Sequence, residues 1–170
     1  ESAISAYDDV IDQEEAAIHY RVRAQLQYLL RFCDGPGGED RYRKNQYEQA
    51  RADYDQAIKL REERAVTPED LSAVWYNRRA NLSYALVTYS YTDTEQIEDS
   101  KRRALDDYRE ATEVDPLERE WWDDWINVAH EWRDHAQEIE AYRQMALRGS
   151  TAWRDDAYWH LGWLAYLYQR

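Results

Sequence analysis

Tyr47, Ala50, Tyr54 and Ala57 stand at steps of three, four and three residues, and Ala104, Tyr108 and Ala111 repeat the last two of those steps before Pro116. Residues three and four apart share one face of a helix, so each set draws a stripe along it. The alanines keep the stripe thin where a neighbouring helix approaches, and the tyrosines supply bulk. A stripe that returns along one chain points to stacked copies of one supersecondary unit, none able to bury its apolar face alone.

Turn chemistry divides the chain into seven helices. The 170 residues hold only 5 Gly and 3 Pro, and no segment alternates with period two, so the spacing predicts an all-α chain. A first helix is expected over 4–33, stopped by Asp34-Gly35-Pro36-Gly37-Gly38, and a second over 39–64. Thr67-Pro68-Glu69-Asp70 reads as the cap and first turn of a third, running to 89. Thr92 with Glu95 forms a capping box for a fourth helix ending near 114, and Asp115-Pro116 opens a fifth that reaches 133. The sixth is expected over 135–148 with Gly149 closing it, and Ser150 or Thr151 caps a seventh from 152 to the end.

Charge narrows the partners. A net charge of −13 disfavours phosphate backbones and anionic membranes, whose binding depends on Lys and Arg, and favours a basic partner. No apolar run approaches the roughly 18–20 residues that span a bilayer, so no membrane insertion is expected. One cysteine, Cys33 beside Leu29, Leu30 and Phe32, excludes an internal disulfide and reads as a packed hydrophobe. With no visible signal segment, it favours a cytoplasmic protein. The chain opens on Glu1-Ser2-Ala3 without an initiating Met, which reads as a piece of a longer protein.

Catalytic chemistry finds no foothold. His130-Glu131-Trp132-Arg133-Asp134-His135 resembles a zinc-protease helix only superficially. Ligating histidines there stand four apart on one face, whereas five residues rotate the second by roughly 140°. The glycine-rich 34–40 stretch lacks the Lys-Ser or Lys-Thr of a phosphate loop and carries acids that would repel phosphate. Four scattered histidines and Cys33 supply no nucleophile–base pair. No enzyme activity, metal or cofactor is expected.

The hairpins resemble tetratricopeptide repeats, whose 34-residue unit carries an aromatic and Leu-Gly in its first helix, then Ala, an aromatic, Ala and Pro in its second. Tyr158, Leu161, Gly162 and Ala165 match the first-helix pattern, as do Tyr76, Arg79 and Ala80 less fully. Tyr47, Ala50, Tyr54 and Ala57, and again Ala104, Tyr108, Ala111 and Pro116, match the second. Tyr142 holds the aromatic place in the sixth helix, but Glu138 and Met145 stand where alanine is usual. The intervals between Ala24, Ala80, Ile126 and Gly162, the equivalent small positions, all exceed the family's 34 residues, so the hairpins are lengthened. The resemblance implies a right-handed superhelix of antiparallel helix hairpins, an α-solenoid, with units at about 4–64, 68–114, 116–148 and a half unit at 152–170.

It also implies a concave groove lined by the first helix of each unit. Carried onto this sequence, the groove positions are Arg21, Gln25 and Tyr28; Asn77, Asn81 and Tyr84; Asp123, Asn127 and His130; and Trp159, Trp163 and Tyr166. Amides and rings on one face suit an extended peptide, and Asp123 and Asp124 with Glu131 would attract Lys or Arg on it. Trp75, Trp122 and Trp125 are expected in the core, and Arg102, Arg103 and Arg109 in surface pairs. The terminal helix is apolar nearly all round and offers either a site for missing chain or a homodimer contact. The expected function is a protein-interaction scaffold for a basic peptide or partner segment. The alternatives are the regulatory arm of a larger enzyme, or a self-assembly module.

Overall fold

The computed structural model describes residues 17–30, 40–63 and 73–168, with side chains described at 19–27, 44–60 and 73–168. Among these residues there are seven helices and no strand: α1 (Ala17–Leu30), α2 (Asp40–Glu63), α3 (Ala73–Tyr89), α4 (Thr94–Val114), α5 (Arg119–Glu131), α6 (His135–Arg148) and α7 (Thr151–Tyr168). Cys33, the glycine-rich turn and the Thr67-Pro68-Glu69-Asp70 start lie outside the described residues, as does the side chain of Tyr28.

Two helix starts differ from expectation. The cap of α4 is Asp93, not Thr92: its carboxylate accepts from the Gln96 N–H at 3.1 Å. A charged acceptor gains from the positive end of the helix where a hydroxyl does not. Asp115-Pro116 does not open α5. Asp115 instead ends α4, its N–H donating to the Ala111 carbonyl, and Glu118 caps α5. Residues between them form a turn because the Pro116 carbonyl accepts from the buried Trp122 indole at 3.0 Å. The start of α6 is as expected, with Asp134 accepting from the Gln137 N–H, and Ser150 accepts from the Ala152 N–H at the start of α7.

The α5–α6 corner uses backbone strain that the sequence does not advertise. Arg133 has φ 58°, the left-handed region where glycine is favoured. Its N–H donates to the His130 carbonyl while the Asp134 N–H reaches Ala129, a Schellman closure. Gly149, by contrast, has φ −73°. Glycine is needed there for space, since a Cβ would stand 2.7 Å from the Met145 carbonyl oxygen.

Backbone contact is concentrated between helices that follow one another, from α1 on α2 through to α6 on α7. The expected stripes face inward: Ala50, Tyr54, Ala57, Ala104 and Ala111 have no exposed surface and Tyr108 almost none. Trp75, Trp122 and Trp125 are buried as expected. Arg102, Arg103 and Arg109 form exposed pairs with Asp99 and Asp106.

Side chains link helices two apart. From α3, Arg79 pairs bidentately with Asp107 on α4 at 2.8 and 2.6 Å and reaches back to Asp55 on α2 at 2.7 Å. Arg51 on α2 donates to Ser100 on α4, and Glu113 on α4 faces Arg148 on α6. Burial opposes the Arg79 charge, but bonds and charge from Asp107, then Asp55, hold the guanidinium above its ordinary value.

Removing one member of a buried ion pair leaves the other charge uncompensated, so Arg79→Met should cost about 3–5 kcal/mol in urea unfolding. Adding Asp107→Leu should recover most of that loss. Arg133→Gly should instead raise stability, by up to about 1 kcal/mol after allowing for glycine's extra freedom when unfolded.

Candidate binding groove

The expected groove residues fall into three environments. On α1, Arg21 and Gln25 are half-buried. On α3, Asn77 is buried and Asn81 and Tyr84 are half-buried. On α5, Asp123 is half-buried while Asn127 and His130 are exposed, and on α7 Trp159, Trp163 and Tyr166 are all exposed.

The amides of α3 bond to one another and to α5. The Tyr108 hydroxyl donates to Asn81 Oδ1 at 3.0 Å, Asn81 Nδ2 donates to Asn77 Oδ1 at 2.9 Å, and Asn77 Nδ2 donates to Asp124 Oδ2 at 2.7 Å. This relay ties α4 to α5 through α3. Burial raises the Asp124 carboxyl above its ordinary value, with the Asn77 bond opposing and the Asp123 charge adding. Nearby, the Tyr84 hydroxyl donates to Glu131 and its ring stacks on Trp132 at 5.7 Å. Asp123 accepts from Arg119 at 2.8 Å, and Arg119 also donates to Asp156 on α7 at 3.3 Å.

Of the expected groove residues, the three on α7 are all open to solvent. Trp159 and Trp163 stack in parallel with centroids 6.3 Å apart, and Tyr166 follows at 6.0 Å. Only Ala157 and Leu164 of this helix are buried among the described residues. At Gly162, expected from the sequence to be a close-packing position, an added Cβ would meet nothing within 4 Å. Two recesses flank the tryptophans. One, of about 530 Å³, lies between α5, α6 and α7 and is walled by Asn127, His130, Glu138, Tyr142, Trp159 and Trp163, among others. The other, of about 500 Å³, is lined by Tyr158, Trp159, Gly162, Trp163 and Tyr166.

Glu138 and Tyr142 are additions that the sequence reading placed only as repeat positions. Glu138 is buried with its side chain 6% exposed, and its two oxygens lie 3.0 Å from His130 Nδ1 and 3.4 Å from His135 Nδ1. His135 Nδ1 is also 2.6 Å from the Tyr168 hydroxyl. The available signal was the departure itself, an acid where the repeat pattern calls for alanine. Tyr142 stacks on His160 at 4.7 Å. Its hydroxyl is pushed up to about 12 by burial first, then by Glu138, Asp156 and Asp123. The Arg119 charge opposes these carboxylates. Among the described residues no group of three or more His, Cys, Asp or Glu is arranged to hold a metal ion.

Neither known family models nor curated proteins match this sequence.

Because burial raises Asp124, its contribution to stability is full at acidic pH and is lost as pH climbs through the raised value. Asp124→Asn keeps an acceptor for Asn77 and removes the disfavoured charge. The variant should be more stable than the parent at pH 7, and the two should converge as pH falls below the ordinary value of 3.8, read from urea midpoints across a pH series.

Proposed function

We propose that this chain is a non-catalytic protein-interaction scaffold of the tetratricopeptide kind. In this reading the helices form a right-handed superhelix of antiparallel hairpins, and α1, α3, α5 and α7 line one groove for a basic, partly apolar peptide. Support for the stacking comes from contacts between helices two apart, since side-by-side hairpins bring first helix to first helix and second to second. Asn77 with Asp124, Tyr84 with Glu131, and Arg119 with Asp156 are of the first kind. Arg51 with Ser100, and Glu113 with Arg148, are of the second.

The observation that carries the binding reading is the exposed aromatic face of α7 beside carboxylates. Trp159 is 65% exposed, Trp163 49% and Tyr166 56%. Rings left in water at that density mark an interaction surface, because burying each removes a large apolar area. Asp123 and Asp156 hold that end acidic. No helix of the described residues is long and apolar enough to cross a membrane, so the exposed rings are read as a protein contact.

A ten-residue peptide alternating Lys with Leu should bind, and its Glu-for-Lys counterpart should not. Charge reversal at half-exposed Asp123 and Asp156 should weaken the basic peptide by on the order of 1–3 kcal/mol in calorimetry. Equal affinity in parent and double variant would sink the groove. The same rings favour a second reading, self-association through α7, which sedimentation at rising protein concentration separates from a monomeric binder.

A further inference from the structure

The recess between α5, α6 and α7 differs from the rest of the groove in what it offers a ligand. Its lining includes the rings of Trp159, Trp163 and Tyr142, the last stacked on one side by His160, and the buried Glu138. Both Glu138 oxygens already face an imidazole nitrogen. Glu138 therefore brings charge to the recess without a vacant carboxylate edge. Burial first, then the charges of Glu138, Asp156 and Asp123, raise the Tyr142 hydroxyl against the opposing charge of Arg119.

Elsewhere the chain fills such faces from its own side chains. Arg79 lies over Tyr76, Lys44 over Tyr91, Lys101 over Trp132 and Arg119 over Trp153. Among the described residues, no Lys or Arg of the chain lies over Trp159 or Trp163. An ammonium bearing three hydrogens keeps strong hydration and seeks acceptors, and a guanidinium seeks a free carboxylate edge. An alkylated ammonium carries the same charge but donates little, and aromatic faces are its usual partners.

We infer that this recess is a binding site for an N-methylated lysine side chain of a partner segment, with the ammonium against Trp159, Trp163 and Tyr142 and facing the Glu138 carboxylate. The second recess shares Trp159 and Trp163 and has only ring and glycine walls, so the residue beside the methylated lysine is a large apolar one. That continuation selects a peptide over a free small cation. The inference rests on the scaffold reading for its peptide source but not for the cation site itself.

The test uses acetyl-Ala-Lys-Leu-Ala-amide with its lysine unmodified, trimethylated, or replaced by the uncharged all-carbon isostere of trimethyllysine, followed by tryptophan fluorescence and calorimetry. The trimethylated peptide should bind about ten- to thirtyfold more tightly than the isostere, the range expected of a partly desolvated cation over aromatic faces. It should also bind more tightly than the unmodified peptide. Trp159→Leu and Glu138→Gln should each erase most of that preference, while Tyr89→Leu, an exposed ring on α3, should leave it intact. Trp159 is mostly exposed, so its variant tests the site even if Glu138→Gln fails to fold.

Equal binding of cation and isostere, or an unchanged preference in Trp159→Leu, overturns the site. Unmodified lysine binding as well as trimethyllysine overturns the methyl selectivity. Choline binding as tightly as the trimethylated peptide overturns the peptide source. Binding of the alternating Lys–Leu peptide without any trimethyl preference sinks this inference and leaves the scaffold. A trimethyl preference without binding of that longer peptide does the reverse.

Discussion

Close approach of neighbouring helices on alanine is the constraint from which the rest of this structure follows. Each of the seven described helices contributes an alanine with no exposed surface, among them Ala24, Ala57, Ala80, Ala111, Ala129, Ala141 and Ala157. A methyl at the crossing lets two backbones come within the 8–10 Å of packed helices, and a larger side chain would force them apart. The aromatics then fill the space beside each crossing. Burying one such ring is worth roughly 4–6 kcal/mol as an upper bound, from an area of roughly 150–250 Å².

Against that scale the interhelical ion pairs are secondary in energy. The attraction between Arg79 and Asp107 is largely offset by the cost of taking both charges out of water. Their importance lies in the consequence of losing one partner, and in the three helices that one guanidinium touches. The Tyr108–Asn81–Asn77–Asp124 relay acts similarly across α3, α4 and α5. Both networks join helices that are not consecutive, so they tie together pairs that backbone packing alone leaves next to, but not fastened to, each other.

The α7 end departs from this economy. Its alanine and one leucine anchor it to the bundle while its rings face outward. Buried Glu138 lines the adjoining recess, at a position where the sequence pattern led to an expectation of alanine. His130 and His135 flank it from the two sides of the strained Arg133 corner. That corner brings together histidines that would point apart on one continuous helix. The departure from the packing rule and the departure from backbone preference thus meet at one place, beside the exposed rings.

Much of the fold was legible in residue order. The three-and-four spacing of alanine and tyrosine marks buried faces whatever the partner, because helix geometry alone sets which side chains share a side. Among the described residues Pro116 and Gly149 fall in turns as expected, although Asp93 and Glu118 displaced the expected caps by a few residues. What packs against a face is not local. Asn77 meets Asp124, Arg79 meets Asp107, and Glu138 is held by an imidazole from the preceding helix, across separations that periodicity does not encode. Trp125 and Trp163 each stand on an apolar stripe, and periodicity alone gives neither its degree of burial. Side chains from α3, α4, α6 and α7 join the cluster that encloses Trp125, whereas Trp163 is left 49% exposed, and that difference is tertiary.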